Sequence, residues 1–392
     1  MKNIILLLMI FSSELIAQTK YGSISGFIID EQTKQPIENV NAYIANSLTR
    51  SSSNKEGNFH IGNISPGRYT LILSHLSYEN QNLKIDINSN EVVELNIKLA
   101  PKPIEFPEIG VGDKFDDEWW KNFEIFQAEL LGKTWFAEGC QITNPYYIDF
   151  FKNNDGVLFA SCDVPIQIEN RSLGYNVKYT LKHFEYKFGS LKYAGLPFFE
   201  EMQSDFEDDY VIWQNNRLEA YMGSLRHFLR TLATSYRLIK QNREKVKLLI
   251  DLDDKTEIGV RFFYDAKMFM SKNGFEAYTP DLIFGQFGAQ SISKPLYPDS
   301  VIADSERPNE LILNCRTQIY VIYNKEYQKL NYKPQYSFIK PHADSIYFDK
   351  GGKYFDELKL ETTGYFGIQR LAEMLPFEYE PSDSLIINTD FR

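Results

Sequence analysis

The sequence predicts an all-β sandwich followed by a larger α+β domain, an antiparallel meander packed on a long central helix. Three observations carry this. Residues 21 to about 100 alternate apolar and polar side chains in short, evenly spaced runs. Pro101, Pro103 and Pro107, followed by Gly110 and Gly112, make a stiff-then-flexible linker. Beyond it lies the strongest helical pattern in the chain, Trp213 to Tyr236. There Leu218, Met222, Leu225, Leu229, Leu232 and Tyr236 recur at alternating steps of four and three, one continuous apolar seam. The division is a signal segment over 1–17, a sandwich over 18–100, a linker over 101–113, an α+β domain over 114–380 and a tail over 381–392.

Strands are expected at Ser23–Ile29, Val40–Ala45, Asn58–Ile61, Tyr69–Ser74, Leu83–Ile87 and Val92–Leu99. Turn residues separate them: Asp30-Glu31 through Pro36, Asn54 to Gly57, and Ser65-Pro66-Gly67. Alternation such as Tyr69/Leu71/Leu73 gives each strand one buried face. No helix fits this span.

The same residues carry a family resemblance. Gly26 to Asp30, Gln35-Pro36-Ile37-Glu38-Asn39-Val40, Asn54 to Phe59, Pro66-Gly67-Arg68-Tyr69 and Ser77-Tyr78 follow in order over about eighty residues. Together they resemble the carboxypeptidase regulatory-like domain, which implies a prealbumin-like (transthyretin-like) sandwich of seven strands. Val40 and Ser77 depart from the pattern, where the family favours a small residue and Gly. The resemblance implies an accessory role beside other domains, not a peptidase. The related zinc carboxypeptidases need an H-x-x-E pair with a distant His. None of His60, His75, His183, His227 and His342 is followed by Glu at the third position, and H-E-x-x-H is absent. No metal or other cofactor is implied.

Lys2, the apolar run Ile4 to Phe11 and the small-residue approach Leu15-Ile16-Ala17 read as a secretory signal cut before Gln18. An uncleaved anchor is the alternative. No later stretch approaches the twenty apolar residues of a membrane span. The expectation is an exported protein of the periplasm, outer-membrane face or cell surface. Cys140, Cys162 and Cys315 are an odd set, and the hairpin spacing sets Cys140 and Cys162 too far apart to bond; three buried free thiols are expected, with a pairing to Cys315 as the alternative.

Charge separates the two halves. Residues 18–103 hold eight basic and eight acidic side chains, and Lys2 offsets Glu14, so the net −11 falls entirely after residue 103. An acidic larger domain argues against a nucleic-acid partner. An envelope protein or a glycan is the expected partner class.

In that domain Asp116-Asp117 open an aromatic-rich helix to about Leu131, closed by Gly132. Its adjacent Trp119 and Trp120 either cap the domain or stack on a sugar. Strands are expected at Ile148–Phe151, Val157–Ser161, Pro165–Glu169, Asn176–Phe188 and Ser190–Phe198. Glu200, Glu201, Asp205 and Glu207 to Asp209 are expected to cap the main helix rather than bind calcium, because calcium-loop spacing is missing. Strands resume at Val246–Leu252, Glu257–Tyr264 and Lys267–Met270, and Pro280–Pro295 reads as loop. Further strands are expected at Glu310–Cys315, Gln318–Tyr323, Gln335–Lys340, Ser345–Phe348 and near Leu358–Leu360, then a short helix over about Gly364–Met374. Blocks at Cys140–Pro145, Pro165–Asn170, Leu173–Tyr175, Gly364–Phe366 and Arg370–Pro376 are similar to motifs of larger domains that follow the sandwich in exported Gram-negative envelope proteins. That family implies no particular activity.

The candidate ligand-binding residues are Arg217, Tyr221, Ser224, His227 and Arg230, polar groups flanking the apolar seam. Asn216-Arg217, Tyr221, Gly223-Ser224 and His227-Phe228 belong to the same family-like block. Ser224 and His227 lie about 60° apart on a helix, with no nucleophile elbow around the serine, so no catalytic residue is assigned. The block reads either as a packed joint, with Arg217 and His227 bonding sheet carbonyls, or as a pocket for a polar group. The functional expectation is an exported cell-envelope binding or accessory protein. The alternatives are a hydrolase with its pocket on the 216–230 face and a purely structural interaction module acting through the sandwich.

Overall fold

The computed structural model describes residues 21–102, 115–249, 270, 273–285, 288–315, 317–324, 335–355 and 359–381. The expected strands at Glu257–Tyr264, most of Lys267–Met270 and most of the linker lie outside this set. No described helix is long and apolar enough to cross a membrane.

Residues 22–99 form seven strands: β1 (Gly22–Asp30), β2 (Asn41–Ile44), β3 (Arg50–Ser52), β4 (Asn58–Ile64), β5 (Gly67–His75), β6 (Tyr78–Ile87) and β7 (Val92–Leu99). They make a three-stranded sheet, β4-β1-β7, facing a four-stranded sheet, β3-β2-β5-β6. All pairings are antiparallel except β1 with β7. Inward residues such as Ile24, Ile28, Phe59, Leu71, Leu73 and Ile97 form one core. The six strands read from the sequence are present within a few residues. β3 is additional, three residues too polar to show alternation. Asp30 organises its turn by accepting from the Gln32 and Thr33 amides and from the Tyr78 hydroxyl. The bond from the Thr33 amide leads in holding its carboxyl below the usual range.

Helix α1 (Asp117–Leu131) starts where Asp116 Oδ1 accepts the Trp119 amide at 2.7 Å. Its buried face, Trp119, Phe123, Phe126 and Leu130, covers a six-stranded sheet. That sheet is built from β8 (Cys140–Ile142), β9 (Ile148–Lys152), β10 (Leu158–Cys162), β11 (Ile166–Asn170), β12 (Tyr175–Lys187) and β13 (Ser190–Glu201). β12 is long enough to pair with β11 along its first half and β10 near its end, while β13 runs along its other edge. Each fully buried Phe or Leu here is worth about 1.5–3 kcal/mol. Cys162 opposes Ile148, and none of the three cysteines is in a disulfide.

The seam from Trp213 to Tyr236 is two helices, not one. α2 (Glu207–Tyr221) ends at Met222, and α3 (Leu225–Leu249) begins after Ser224. Gly223 sits at φ +74 between them, and a Cβ there would meet Tyr323 at 2.7 Å and Gln335 at 2.8 Å. Ser224 Oγ then accepts the His227 amide at 3.2 Å, capping α3. Glycine and serine therefore stop one helix and start the next while the apolar spacing runs straight through.

α3 lays Phe228, Leu229, Leu232 and Ala233 on a second core, separate from that under α1. Its five-stranded sheet, β15-β14-β18-β19-β21, comprises β14 (Phe275–Gly285), β15 (Gly288–Pro295), β18 (Ile319–Tyr323), β19 (Gln335–Pro341) and β21 (Leu360–Gly364). A three-stranded sheet of β16 (Ile302–Asp304), β17 (Glu310–Leu313) and β20 (Ile346–Asp349) adds to it. Two expectations are corrected. Pro280–Pro295 is a paired hairpin, not loop, because its Gly, Ser and Pro residues fall within β14 and β15. Val246 to Leu249 continue α3 instead of opening a strand. The helix expected over Gly364–Met374 shrinks to one turn at Tyr365–Ile368 and a 3-10 turn at Leu371–Glu373.

Candidate functional site

The five candidate side chains all turn toward the protein's own backbone and rings. Arg217 donates from Nε to Leu173 O at 2.8 Å and from Nη2 to Gly174 O at 3.3 Å. Nη1 pairs with Glu201 at 2.9 Å, and the guanidinium lies 4.0 Å over the Tyr175 ring. Trp213 Nε1 and Asn216 Nδ2 donate to Arg171 O and Ser172 O. One face of α2 thus satisfies four successive carbonyls of the β11–β12 turn. Gly174 at φ +70 permits this, since a Cβ would lie 2.2 Å from the Trp213 ring.

His227 is buried, with Nδ1 accepting the Gly223 amide at 3.1 Å. Its ring packs on Tyr221, Phe275 and Tyr323, at 5.1, 4.7 and 5.9 Å. Nδ1 thus bonds the helix break. Ser224 Oγ is engaged in the cap, accepting the His227 amide. Burial raises the Tyr221 hydroxyl, opposed by Arg230 and Arg226.

Tyr221 and Arg230 meet the segment 376–380, joined there by Arg226, which is not among the five candidates. Arg226 donates to Pro376 O at 2.9 Å, Phe377 O at 3.1 Å and Tyr379 O at 2.7 Å. Arg230 pairs with Glu380 at 2.6 Å. The Tyr379 ring lies 5.9 Å from Tyr221, and burial pushes its hydroxyl up to about 12. The turn after β20 closes over α3 at Gly352, where a Cβ would lie 2.1 Å from Arg226 O. Beside it burial raises the Asp349 carboxyl and lowers Lys353, each opposed by the other.

The same segment reaches the sandwich. Glu378 accepts the Leu48 amide at 3.1 Å and the Thr49 hydroxyl at 2.7 Å, and the Phe377 amide donates to Asn46 O at 2.7 Å. On its other side the loop after β2 bonds β13: the Asn46 amide to Pro197 O at 2.6 Å, and the Phe199 amide to Ser47 O at 3.1 Å. Phe198 enters a small apolar cluster with Tyr43, Ala45 and Ile72, its ring 4.6 Å from Tyr43. A second joint holds β5 and β6 to the three-stranded sheet. Arg68 grips the buried Glu310 carboxylate at 2.7 and 3.1 Å and lies 4.4 Å over Tyr347, while Arg307 pairs with Asp86. Long-range joints of this kind leave no trace in local periodicity.

The arrangement is a two-sided clasp between a β-sandwich and a mixed α/β body. Among the described residues no group of three or more His, Cys, Asp or Glu is placed to hold a metal ion. Residues 24–111 match the CarboxypepD_reg-like domain, so the sandwich is a carboxypeptidase regulatory-like domain. No match is found among curated proteins. Among solved structures, the minor pilin GBS52 of Streptococcus agalactiae aligns at 15% identity over 21% of this chain and 46% of its own, with a TM-score of 0.19. DUF3823 family proteins from Bacteroides ovatus and Parabacteroides merdae align at 12% and 10% identity. They cover 47% and 50% of this chain and 82% and 85% of their own, each at a TM-score of 0.17. The chain spans less than half of the pilin.

Proposed function

We propose that this is an exported cell-envelope binding or accessory protein whose carboxypeptidase regulatory-like sandwich is a fixed part of a larger body. Its partner is an envelope protein or a glycan. One observation carries this: Arg217, Ser224, His227 and Arg230, the polar residues best placed for chemistry, are committed to internal carbonyl, amide and carboxylate contacts. A hydrolase needs a nucleophile or water, a base and an orienting group open to substrate. A joint needs those donors turned inward, as they are in this strip.

The test has two parts. Protein recovered from the envelope fraction of expressing cells should begin at Gln18 by mass spectrometry; intact Met1 in the cytoplasm would refute export. Purified protein should turn over neither peptidoglycan nor chromogenic esters and glycosides. Turnover that disappears in Arg217→Ala or His227→Ala, with circular dichroism unchanged, would overturn the accessory reading in favour of a hydrolase.

A further inference from the structure

The outward face of the five-stranded sheet has the composition of a recognition surface. Alternation sends Phe275, Ala277, Val321, Tyr323 and Ile339 into the core. The opposite face of an antiparallel sheet is ordinarily polar where it meets water. Here it presents Tyr278, Tyr320, Ile322, Tyr336 and Phe338.

The register lines these side chains up. Tyr278 opposes Tyr320, and Tyr320 opposes Phe338, so three aromatics stand in one row across β14, β18 and β19. With strands about 4.8 Å apart, that row spans about 10 Å. Ile322 opposes Tyr336 in the adjoining row, and Tyr336 is 57% exposed. Tyr320 and Phe338 meet edge to face at 5.0 Å. The rings bound a shallow groove of about 290 Å³. Both ends of the patch are polar. At one, Glu276 accepts from the Tyr278 hydroxyl at 2.8 Å and from Asn324 Nδ2 at 3.0 Å. At the other, Glu361 pairs with His342 at 2.7 Å and with Lys340 at 3.7 Å.

We propose that this aromatic row is a binding platform for a neutral oligosaccharide. A pyranose ring has apolar C–H faces that lie on aromatic rings and hydroxyl edges that hydrogen-bond carboxylates and amides, and the platform supplies both. Among the described residues Glu276 has hydrogen-bond donors and Glu361 is paired with His342 and Lys340, so the rim offers no unpaired cation to select an anionic polymer. A peptide strand would add to a sheet edge, not to this face. The assignment rests on the binding role proposed above and names its ligand class.

The test is isothermal titration of the full-length mature protein with chitohexaose, cellohexaose and maltohexaose. At least one should bind. Tyr336→Ala should weaken that binding about tenfold without moving the melting temperature, and Tyr320→Ala with Phe338→Ala should abolish it. Trp120→Ala, on α1, should leave it unchanged. Absence of binding at millimolar sugar, or affinity unaltered in Tyr336→Ala, overturns the platform. So does a dimer seen by sedimentation that Tyr336→Ala dissolves, which would give the face to a second copy. Capture of an envelope protein that survives in Tyr336→Ala, with no sugar bound, would overturn the platform while leaving the binding role standing.

Discussion

Replacing Gly223 by alanine separates two descriptions of the α2–α3 seam by the sign of the effect. In one uninterrupted helix, Gly→Ala at an interior position would stabilise the protein by about 1 kcal/mol. In the broken helix Gly223 holds φ +74, and a left-handed alanine costs about 1–2 kcal/mol. Its Cβ would also lie 2.7 Å from Tyr323 and 2.8 Å from Gln335, two buried side chains with little room to retreat. Overpacking of this kind costs about 1–3 kcal/mol, so the sum is about 2–5 kcal/mol of destabilisation. Urea unfolding followed by tryptophan fluorescence reads it directly: the midpoint should fall while the slope m stays constant. An unchanged or higher midpoint would refute both the break and the role given to Gly223.

Asp116→Ala removes the α1 cap and should cost about 1 kcal/mol, measured by the same unfolding curve. Arg226→Ala strips three charge-assisted bonds from the carbonyls of residues 376, 377 and 379 and should cost about 3 kcal/mol. Arg226→Lys should recover little of it, since an ammonium lacks the planar fork, and limited proteolysis should cut near residue 380 in both. Burial pushes the Cys140 thiol up to about 12, so iodoacetamide should alkylate it slowly at pH 8 until urea unfolds the chain. Because that value lies above the unfolded thiol's, its contribution to stability is complete below about pH 8.5 and is lost as pH rises toward 12. The loss should show as a urea midpoint that falls with pH in wild type and less steeply in Cys140→Ser.

Local rules carried the sandwich and the first half of the body. Short alternating strands bounded by Asp30, Gly57 and Ser65-Pro66-Gly67 state their own limits, and Asp116 and Gly132 bracket α1 as caps should. The same rules erred where apolar spacing and backbone conformation diverge. Leu218 to Tyr236 keep a helical rhythm across Gly223, yet α2 buries Trp213, Ala220 and Tyr221 instead of that stripe, whose members from Met222 onward pack on the core under α3. The β14–β15 hairpin was hidden by residues usually found in turns, and the Val246 region by β-branched and apolar residues that continue α3. The candidate strip reads in the sequence as polar groups beside an apolar seam. What it meets was not legible: carbonyls at 171–174 and at 376–379 become neighbours only through tertiary folding, and no periodicity encodes them.

The proposed single unit of sandwich and body is clasped at Asn46–Thr49. Amide hydrogen exchange tests it most directly, read on peptides containing Asn46, Leu48 and Phe199, whose amides bond across the joint. These should be protected as strongly as the central strand β5, and Phe198→Asp should expose them together while β5 itself stays protected. Fast exchange of all three in the wild-type protein, with β5 slow, would mean that the sandwich swings free and would contradict the account.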